Sequence, residues 1–503
     1  MSKNQQKTVE ELFLEALVDE GEQPYKLPDN WIWVKFGTVA SLVNGYAFKS
    51  KDYIEEGIPI VRISDIVGKI YDLSKAVKVP NELYNERFII NKGDLLIAMS
   101  GATTGKTGIF YANENAMQNQ RVGNIKEIDR RLIERAYKNL FIQKSKDEIL
   151  SLAYGGAQPN ISGKLIEEMN FPLPPINEQK RISDKLDYLL NKIEEAKQLI
   201  DETKETFELR RAAVLDKAIR GELTEKWRSR NTGKRVHIEP LLDERKRLKE
   251  TNISNKRYTP PVPIDLGDKT KGVRDLFQIP SSWQWVSIDQ VTWSVSDGPH
   301  FSPNYVEEDK GVPFISTRNI KYRGIDFTDC KFVSEEDHLE FCKRTNAKLG
   351  DVIITKGGTT GIATVVEETE PFSIWVHLAL LKIVKSYISP YYLRDVLTSR
   401  FVYNQSQAQT RGVTNKDLGL TRLIYMAIPL PPLEEQQEIV KVIDTLFKKF
   451  DAVEEICKQS ILEMDVLKNS ILQKAFRGEL GTNDPTEENA IELLKEVLQE
   501  KAK

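Results

Sequence analysis

Cysteine is scarce: Cys330, Cys342 and Cys457 are the full complement in 503 residues. They are odd in number, widely spaced and form no Cys-x-x-Cys pair, which argues against a disulfide framework or a structural zinc site and fits a reducing cytoplasm. Histidine is nearly as rare, at four, and neither His300 nor His377 has a partnering ligand at metal-site spacing, so no metal is expected. Long apolar runs are missing too. Trp375 to Val384, the most apolar stretch, is interrupted by His377 and Lys382 and reaches about half of the roughly 20 residues a bilayer requires, which excludes a membrane span there. Met1 to Glu20 carries acidic residues inside a short apolar pattern, with no basic region followed by an apolar core, so it does not read as a signal peptide. Nor does one sign of charge dominate. A net charge of −3 leaves nucleic-acid binding open, because phosphate contacts need clustered Lys and Arg and not a basic average.

What is present is enough for more than one core. At this length two or more domains are expected, and 40% hydrophobic with 29% charged residues is the balance of folded protein enriched in exposed helix, not of a disordered chain.

The chain repeats itself once, end to end, and this fixes the architecture more firmly than local propensity does. Leu27-Pro28-Asp29-Asn30-Trp31-Ile32-Trp33-Val34 is answered by Ile279-Pro280-Ser281-Ser282-Trp283-Gln284-Trp285-Val286. Gly57-Ile58-Pro59-Ile60 returns as Gly311-Val312-Pro313-Phe314, and Gly93-Asp94-Leu95-Leu96-Ile97 as Gly350-Asp351-Val352-Ile353-Ile354. Pro174-Pro175-Ile176-Asn177-Glu178-Gln179 matches Pro431-Pro432-Leu433-Glu434-Glu435-Gln436, and Ala218-Ile219-Arg220-Gly221-Glu222-Leu223 matches Ala475-Phe476-Arg477-Gly478-Glu479-Leu480. Two copies are too few for a solenoid, so a pseudo-symmetric pair is the reading.

Within each copy the pattern begins as short strands bounded by glycine, such as Ile58 to Ile63 and Asp94 to Ala98. After the double prolines the period changes. Ile182, Leu186, Leu189, Ile193, Ala196, Ile200, Thr203 and Phe207 fall at steps of four and three, as do Ile439, Ile443, Leu446, Phe450, Val453, Cys457, Ser460, Met464 and Leu467, the rhythm of a helix with one narrow seam. Asn177 is placed to cap the first helix, and the Arg-Gly pairs at 220–221 and 477–478 to end each one. Each would run about 43 residues, roughly 65 Å. Neither is stable alone, because polar residues dominate every face but the seam, so the two are expected to pair with each other, antiparallel. The fold class is α+β: two mixed α/β units related by duplication, with two long helices forming an antiparallel coiled coil between them. The expected divisions are an N-terminal helical segment at 1–24, a first globular unit at 25–176, a helix at 177–223, and a linker with a short charged helix at 224–277. A second unit at 278–433, a helix at 434–480 and a tail helix at 481–503 complete the chain.

Catalytic motifs fail on inspection. Ser100-Gly101-Ala102-Thr103-Thr104-Gly105-Lys106-Thr107 follows a strand like a phosphate-binding loop, yet the glycine that such a loop needs five positions before Gly105 is Ser100, and Gly357-Gly358-Thr359-Thr360-Gly361-Ile362 in the second copy has no lysine. No Asn-Pro-Pro-Tyr or Asp-Pro-Pro-Tyr methyltransferase tetrapeptide occurs. Glu244-Arg245-Lys246 resembles a nuclease string but is expected by chance at this charge content. What remains is polar, loop-borne and duplicated, and differs between the copies where strands and helices agree. The candidates for contacting DNA are Lys49, Ser50, Arg62, Ser64, Ser100, Thr103, Thr104, Lys106, Gln158 and Asn160 in the first copy. In the second they are His300, Ser302, Thr317, Arg318, Asn319, Lys356, Thr359, Thr360, Arg411, Thr414 and Asn415. Such side chains pair with base edges or hold phosphates; the alternative for each is an ordinary solvated loop.

The paired Leu-Pro-Pro-x-x-Glu-Gln starts at Leu173 and Leu430, the Arg-Gly-Glu-Leu ends after Ile219 and Phe476, and the Gly-Asp turns at Gly93 and Gly350 together resemble the specificity subunit of type I restriction-modification systems. The resemblance covers nearly the whole chain. It implies two target recognition domains that bind a bipartite double-stranded DNA sequence, and no catalysis in this chain. Two adenine methyltransferase subunits and motor-nuclease (restriction and translocase) subunits would be the partners, and S-adenosylmethionine, ATP and magnesium would belong to them. A specificity subunit of a related type II enzyme would show the same features, while a coiled-coil protein without DNA binding would share only the helices.

Overall fold

The computed structural model describes residues 8–101, 103–153, 160–252, 259–264, 276–412 and 416–502. The chain divides into two compact units, one made of residues 1–200 with 459–503 and the other of residues 201–458. Each unit therefore takes a globular part, the beginning of its own long helix, and the end of the other's.

The first unit closes its globular part with a two-stranded ribbon in which Ile32–Lys35 runs antiparallel to Asn170–Leu173, Val34 facing Phe171. A five-stranded sheet follows the order Ala40–Asn44, Val122–Glu127, Leu95–Ala98, Thr107–Phe110, Lys69–Ile70. A second sheet is ordered Val77–Val79, Ile58–Val61, Ala116–Gln118, Ile89–Ile90. All four residues of Leu95–Ala98 are buried, which is why this strand reads as a continuous apolar run instead of an alternating one. The glycine before it explains the duplicated Gly-Asp turn. Gly93 has φ +89°, a conformation that other residues adopt at a cost. Asp94 Oδ2 then accepts from Asn91 N at 2.9 Å and from Asn124 Nδ2 at 2.7 Å, tying the turn to the neighbouring strand. Helices Arg135–Lys144, Lys146–Ala153 and Gly163–Glu167 complete the globular part.

The second unit repeats this plan. Gln284–Ser287 pairs with Ala427–Leu430, and the sheets are ordered Thr292–Asp297, Leu378–Ile383, Val352–Thr355, Ala363–Val365 and Tyr305–Val306, Lys331–Val333, Val312–Ile315, Ser373–Ile374. Asp351 Oδ2 accepts from Lys348 N at 2.9 Å and Lys382 Nζ at 2.7 Å, the counterpart of the Asp94 turn. The units part company after the third strand. Helix Glu335–Cys342 stands in the second where the first has only short turns at Asn81–Leu83 and Glu86–Phe88. Ile320–Lys321 and Gly324–Ile325 form a small hairpin, whereas Lys69–Ile70 of the first unit joins its sheet in parallel.

The long helices are Ile176–Ile219 and Leu433–Phe476, each 44 residues. The first starts two residues earlier than a cap at Asn177 would place it. Gln179 N donates to Pro175 O at 3.0 Å, so Pro175 holds the cap position and Asn177 lies inside the first turn. The Glu-Gln pair fixes this junction. In the first unit Trp31 Nε1 donates to Glu178 Oε2 at 2.7 Å, while Gln179 Nε2 donates to Leu132 O and Pro174 O and its Oε1 accepts from Glu134 N. In the second, Trp283 Nε1 donates to Glu435 Oε2 at 2.9 Å, and Gln436 bonds Tyr387 O, Pro431 O and Ser389 N.

Both helices stop at the expected glycines. Gly221 (φ +78°) and Gly478 (φ +73°) let Glu222 N reach Lys217 O at 3.0 Å and Glu479 N reach Lys474 O at 2.8 Å, the six-to-one bond of a Schellman ending. Each ending seats on the opening motif of a globular part: a Cβ on Gly478 would lie 2.4 Å from Pro28 Cγ, and one on Gly221 2.6 Å from Pro280 Cγ. Arg477 stacks over Tyr25 and Arg220 over Phe277. Phe476, 1% exposed, packs between Tyr137 and Phe141 with ring centroids at 5.1 and 5.6 Å; burying it contributes about 1.5–3 kcal/mol.

Pairing is antiparallel within each unit. In the first, Lys468 Nζ meets Glu194 at 3.3 Å and Lys197 Nζ meets Asp465 at 2.5 Å. In the second, Arg211 Nη2 meets Asp451 at 3.0 Å beside the Phe207–Phe450 contact. The seam is looser than the heptad pattern implies: Ile182, Leu186, Ile193, Phe207, Ile439, Ile443 and Cys457 are buried, but Val453 and Leu467 are exposed at 41% and 50% and Thr203 is exposed.

The stretch at 224–277 is partly built into the second unit. Its helix Ile238–Asn252 buries Leu241 and Arg245, and Arg245 Nε donates to Asp289 O and Thr292 O, both at 2.8 Å. That guanidinium is structural, which disposes of the nuclease-like string. The tail helix Ala490–Ala502 buries Leu494, Val497 and Leu498 in the core of the first unit. No helix among the described residues is long and apolar enough to cross a membrane.

Candidate nucleic-acid interface

In the first unit five loop segments meet where the two sheets adjoin. The segment after Ala40–Asn44 is drawn against the loop after Ala116–Gln118: Tyr46 N donates to Gln118 O at 3.1 Å and Gln120 N to Tyr46 O at 2.9 Å. This approach requires glycine, since a Cβ on Gly45 would lie 2.3 Å from Gln118 O. Asn119 N donates to Val61 O at 3.0 Å, bringing in the turn at Arg62–Asp65. The Ser100–Lys106 segment is the tip of the hairpin joining Leu95–Ala98 to Thr107–Phe110, closed by Gly105 N to Ala98 O at 2.8 Å and Ala98 N to Lys106 O at 2.9 Å. Ser100 bridges Asn160, which docks the late loop beside that tip.

The second unit brings the equivalent segments together. A Cβ on Gly298 would lie 1.9 Å from Ile374 O, Trp375 N donates to Ile315 O at 2.8 Å, and Gly361 N closes the Thr355 hairpin at 2.9 Å. Gly358 N donates to Lys416 O at 3.0 Å and Leu418 N to Lys356 O at 2.7 Å, so the late loop again lies along the hairpin. The glycine-threonine motif is thus a hairpin tip and not a phosphate-cradling loop before a helix.

The individual candidates divide by exposure. Lys49, Ser50, Ser64, Lys106, Asn160, His300, Ser302, Arg318, Thr359 and Arg411 are exposed. Arg62, Ser100, Thr103, Thr104 and Thr317 are half-buried; Arg62 Nε leans on Asp65 at 3.3 Å. Three candidates are scaffold and not reading surface. Asn319, 3% exposed, accepts from Ser316 N at 2.9 Å and donates to Asp326 O and Asp329 O. It occupies the place of Asp65, which accepts from Arg62 N at 2.9 Å, so the two turns correspond in the register that the match of Gly57 with Gly311 sets. Thr360, 3% exposed, accepts from Gln407 Nε2 at 2.8 Å. Lys356, 5% exposed as a side chain, lies 3.3 Å from Asp297 and 3.2 Å from Asp417, a buried charge held by two carboxylates. Gln158, Thr414 and Asn415 lie outside the described residues.

Sequence reasoning missed Gln120 and Arg121, both exposed in the loop that closes on Tyr46, and Arg344 after helix Glu335–Cys342. The first two sit between two strand patterns with no motif to mark them. Arg344 follows the segment that has no match in the other copy, and that mismatch was the available signal. Among the described residues no cluster of His, Cys, Asp or Glu could hold a metal ion, and Cys330, Cys342 and Cys457 are free.

A model of the type I restriction modification DNA specificity domain matches this chain twice, at residues 28–205 and 280–463. Over 458 residues the chain is 26% identical to the Escherichia coli type I restriction enzyme EcoBI specificity subunit, covering 90% of this chain and 86% of that one. It is 25% identical over 481 residues to the EcoKI specificity subunit of Escherichia coli K12, covering 90% of each. The fold is similar to a chain solved in work on assembly and conformational transition of the type I R-M system, at TM-score 0.62 and 21% identity over 91% of this chain and 100% of that one. It is also similar to the HsdS subunit from Thermoanaerobacter tengcongensis, at TM-score 0.52 and 21% identity with the same coverage. With its specificity domain present in two copies, the chain belongs to the family of type I restriction-modification specificity subunits, the sequence-reading and non-catalytic members of those systems.

Proposed function

We propose that each loop cluster reads one half of a bipartite double-stranded DNA target, with residues 25–176 and 278–433 as the two readers. The observation that carries this is a shared scaffold with unshared tips. The Gly-Asp turn, the close-approach glycine, the hairpin and the late loop recur in both units, while the exposed side chains they present differ: Lys49, Ser64 and Lys106 in one, His300, Arg318 and Arg411 in the other. Outside helix Glu335–Cys342 and the hairpin at Ile320–Ile325, the two units keep one scaffold and vary what its tips present. Lys and Arg at the cluster supply phosphate contacts that position the protein, and the hydroxyl and amide side chains supply base-edge contacts.

Two methyltransferase subunits and the restriction and translocase subunits are the partners on this reading, in the cytoplasm. S-adenosylmethionine, ATP and magnesium are bound by those partners, and this chain contributes recognition. The test is an exchange of residues 25–172 for those of a relative, followed by genome-wide mapping of methylated motifs in cells expressing the complex. One half-site should change and the other stay. A change in both, or a motif with no second half, would refute independent readers.

A further inference from the structure

We propose that Arg344 reads a guanine in the half-site served by the second unit, its guanidinium held in reading position by the buried carboxylate of Asp297. This rests on the reading of the loop cluster as a DNA interface, and adds to it a residue and a base.

Asp297 ends the strand Thr292–Asp297, and its side chain is 4% exposed. Its Oδ2 lies 3.3 Å from Lys356 Nζ, itself 5% exposed. Its Oδ1 accepts from Arg344 Nη2 and lies 3.3 Å from His300 Nε2. A buried carboxylate needs a compensating cation, and Lys356 already provides one. Arg344 adds a second cation at this carboxylate, and Lys356 is shared with Asp417. Its side chain is 54% exposed, and Nε and Nη1 meet no other acceptor among the described residues. The wider charge set is Asp417, 3.2 Å from Lys356, Arg422, 3.4 Å from Asp417, and Glu340, which lines the same cleft and is paired with Lys343. Arginine and lysine together outnumber the carboxylates in this cluster, so an electron-rich partner is favoured.

Arg344 borders an open cleft of about 570 Å³ whose rim includes His300 and Phe301, the latter 63% exposed. A guanidinium with one nitrogen fixed by a carboxylate presents its remaining N–H groups as a preset fork. Guanine offers two acceptors, O6 and N7, on its major-groove edge, whereas adenine offers one acceptor and one donor, which would set donor against donor. The arrangement is confined to this unit. At the positions of Asp297 and Lys356 the first unit has Asn44 and Met99, Met99 lying in its core, and it has no counterpart of helix Glu335–Cys342, which delivers Arg344.

The experiment uses the chain complexed with its methyltransferase partner, whose methylated motif is mapped first; exchange of residues 278–433 identifies the half-site served by the second unit. Binding is then measured by fluorescence anisotropy on target duplexes in which each guanine of that half-site is replaced in turn by 7-deazaguanine. One replacement should weaken binding about tenfold, in the range of a bidentate arginine–guanine pair. R344A should bind more weakly and show no further loss at that one position, and R344K should keep the charge yet lose the discrimination. Insensitivity of the wild-type complex to every replacement, or a half-site without guanine, overturns the proposal even if the variants do not fold. So does an R344A defect that is equal on all sequences and shallower in salt, which marks a phosphate contact. If exchange of 278–433 alters neither half-site, it is the underlying reading of the second unit that fails, and Arg344 is not at issue.

Discussion

Replacing Glu435 with alanine tests whether the duplicated Glu-Gln motif is a structural joint. The side chain is 1% exposed and gathers three donors from separate segments: Trp283 Nε1 at 2.9 Å, Thr224 Oγ1 at 2.8 Å and the Arg228 guanidinium. Without the carboxylate the indole and hydroxyl are left buried without an acceptor, at about 1–3 kcal/mol each. Arg228 loses its ion partner but keeps Gly221 O at 2.8 Å and has 22% side-chain exposure, so water recovers part of its loss. The net cost should be about 3–5 kcal/mol, the range for breaking a buried pair from one side. A chain of two units need not unfold in one step, so the measurement is hydrogen exchange read segment by segment in mild urea. Protection should fall in the second unit and hold in Leu95–Ala98 of the first. A loss below about 1 kcal/mol, or an equal loss in both units, would show that the donors find other partners and that the motif is not a joint.

Glu178 makes the matching joint without an ion partner as close: it accepts from Trp31, Asn483 and Thr482. Burial holds its carboxyl above the ordinary value of 4.5. A raised carboxyl binds its proton more tightly folded than unfolded, so its contribution to stability grows as pH falls through the folded value and is complete below 4.5; E178Q should lose that part of the pH dependence, and parallel stability curves for the two proteins would refute the assignment. K49A and K106A should each weaken DNA binding uniformly across sequences and lower the slope of log K against log salt by about 0.9, measured by titrations at several salt concentrations; an unchanged slope removes that lysine from the phosphate contacts. Seven residues added to both long helices, after Ile200 and after Lys458, preserve the heptad phase and add about 10 Å. If the helices set the spacing, the unspecified spacer of the mapped methylation motif should lengthen by about three base pairs with both half-sites unchanged, and a constant spacer would refute the role.

The duplication carried most of the fold into view. Gly93 and Gly350, Gly221 and Gly478, and the two Pro-Pro-x-x-Glu-Gln runs are legible because each satisfies a local backbone demand that must be met twice, and the helix lengths followed within a residue. Reading surface was harder to see. Asn319, Thr360 and Lys356 are polar and loop-borne, as a reader would be, but their partners come from Ser316, Gln407 and Asp297, and side-chain direction across a turn is not encoded in composition. Arg344 was marked only by the unmatched segment before it: what makes it a candidate is Asp297, 47 residues away in the chain, and pairing over that distance leaves no periodic trace.

The seats at Pro28 and Pro280 accept the same Arg-Gly-Glu-Leu ending. A coding segment that runs from one seat to the following double proline therefore exchanges at its borders with segments that keep those few residues and, in the first unit, the contacts to Phe476, Gln179 and the tail helix. A single pair of genetic crossovers in the repeated stretches can deliver a complete new reading head to a lineage, already fitted to its mounting, while point changes at the tips refine it afterwards.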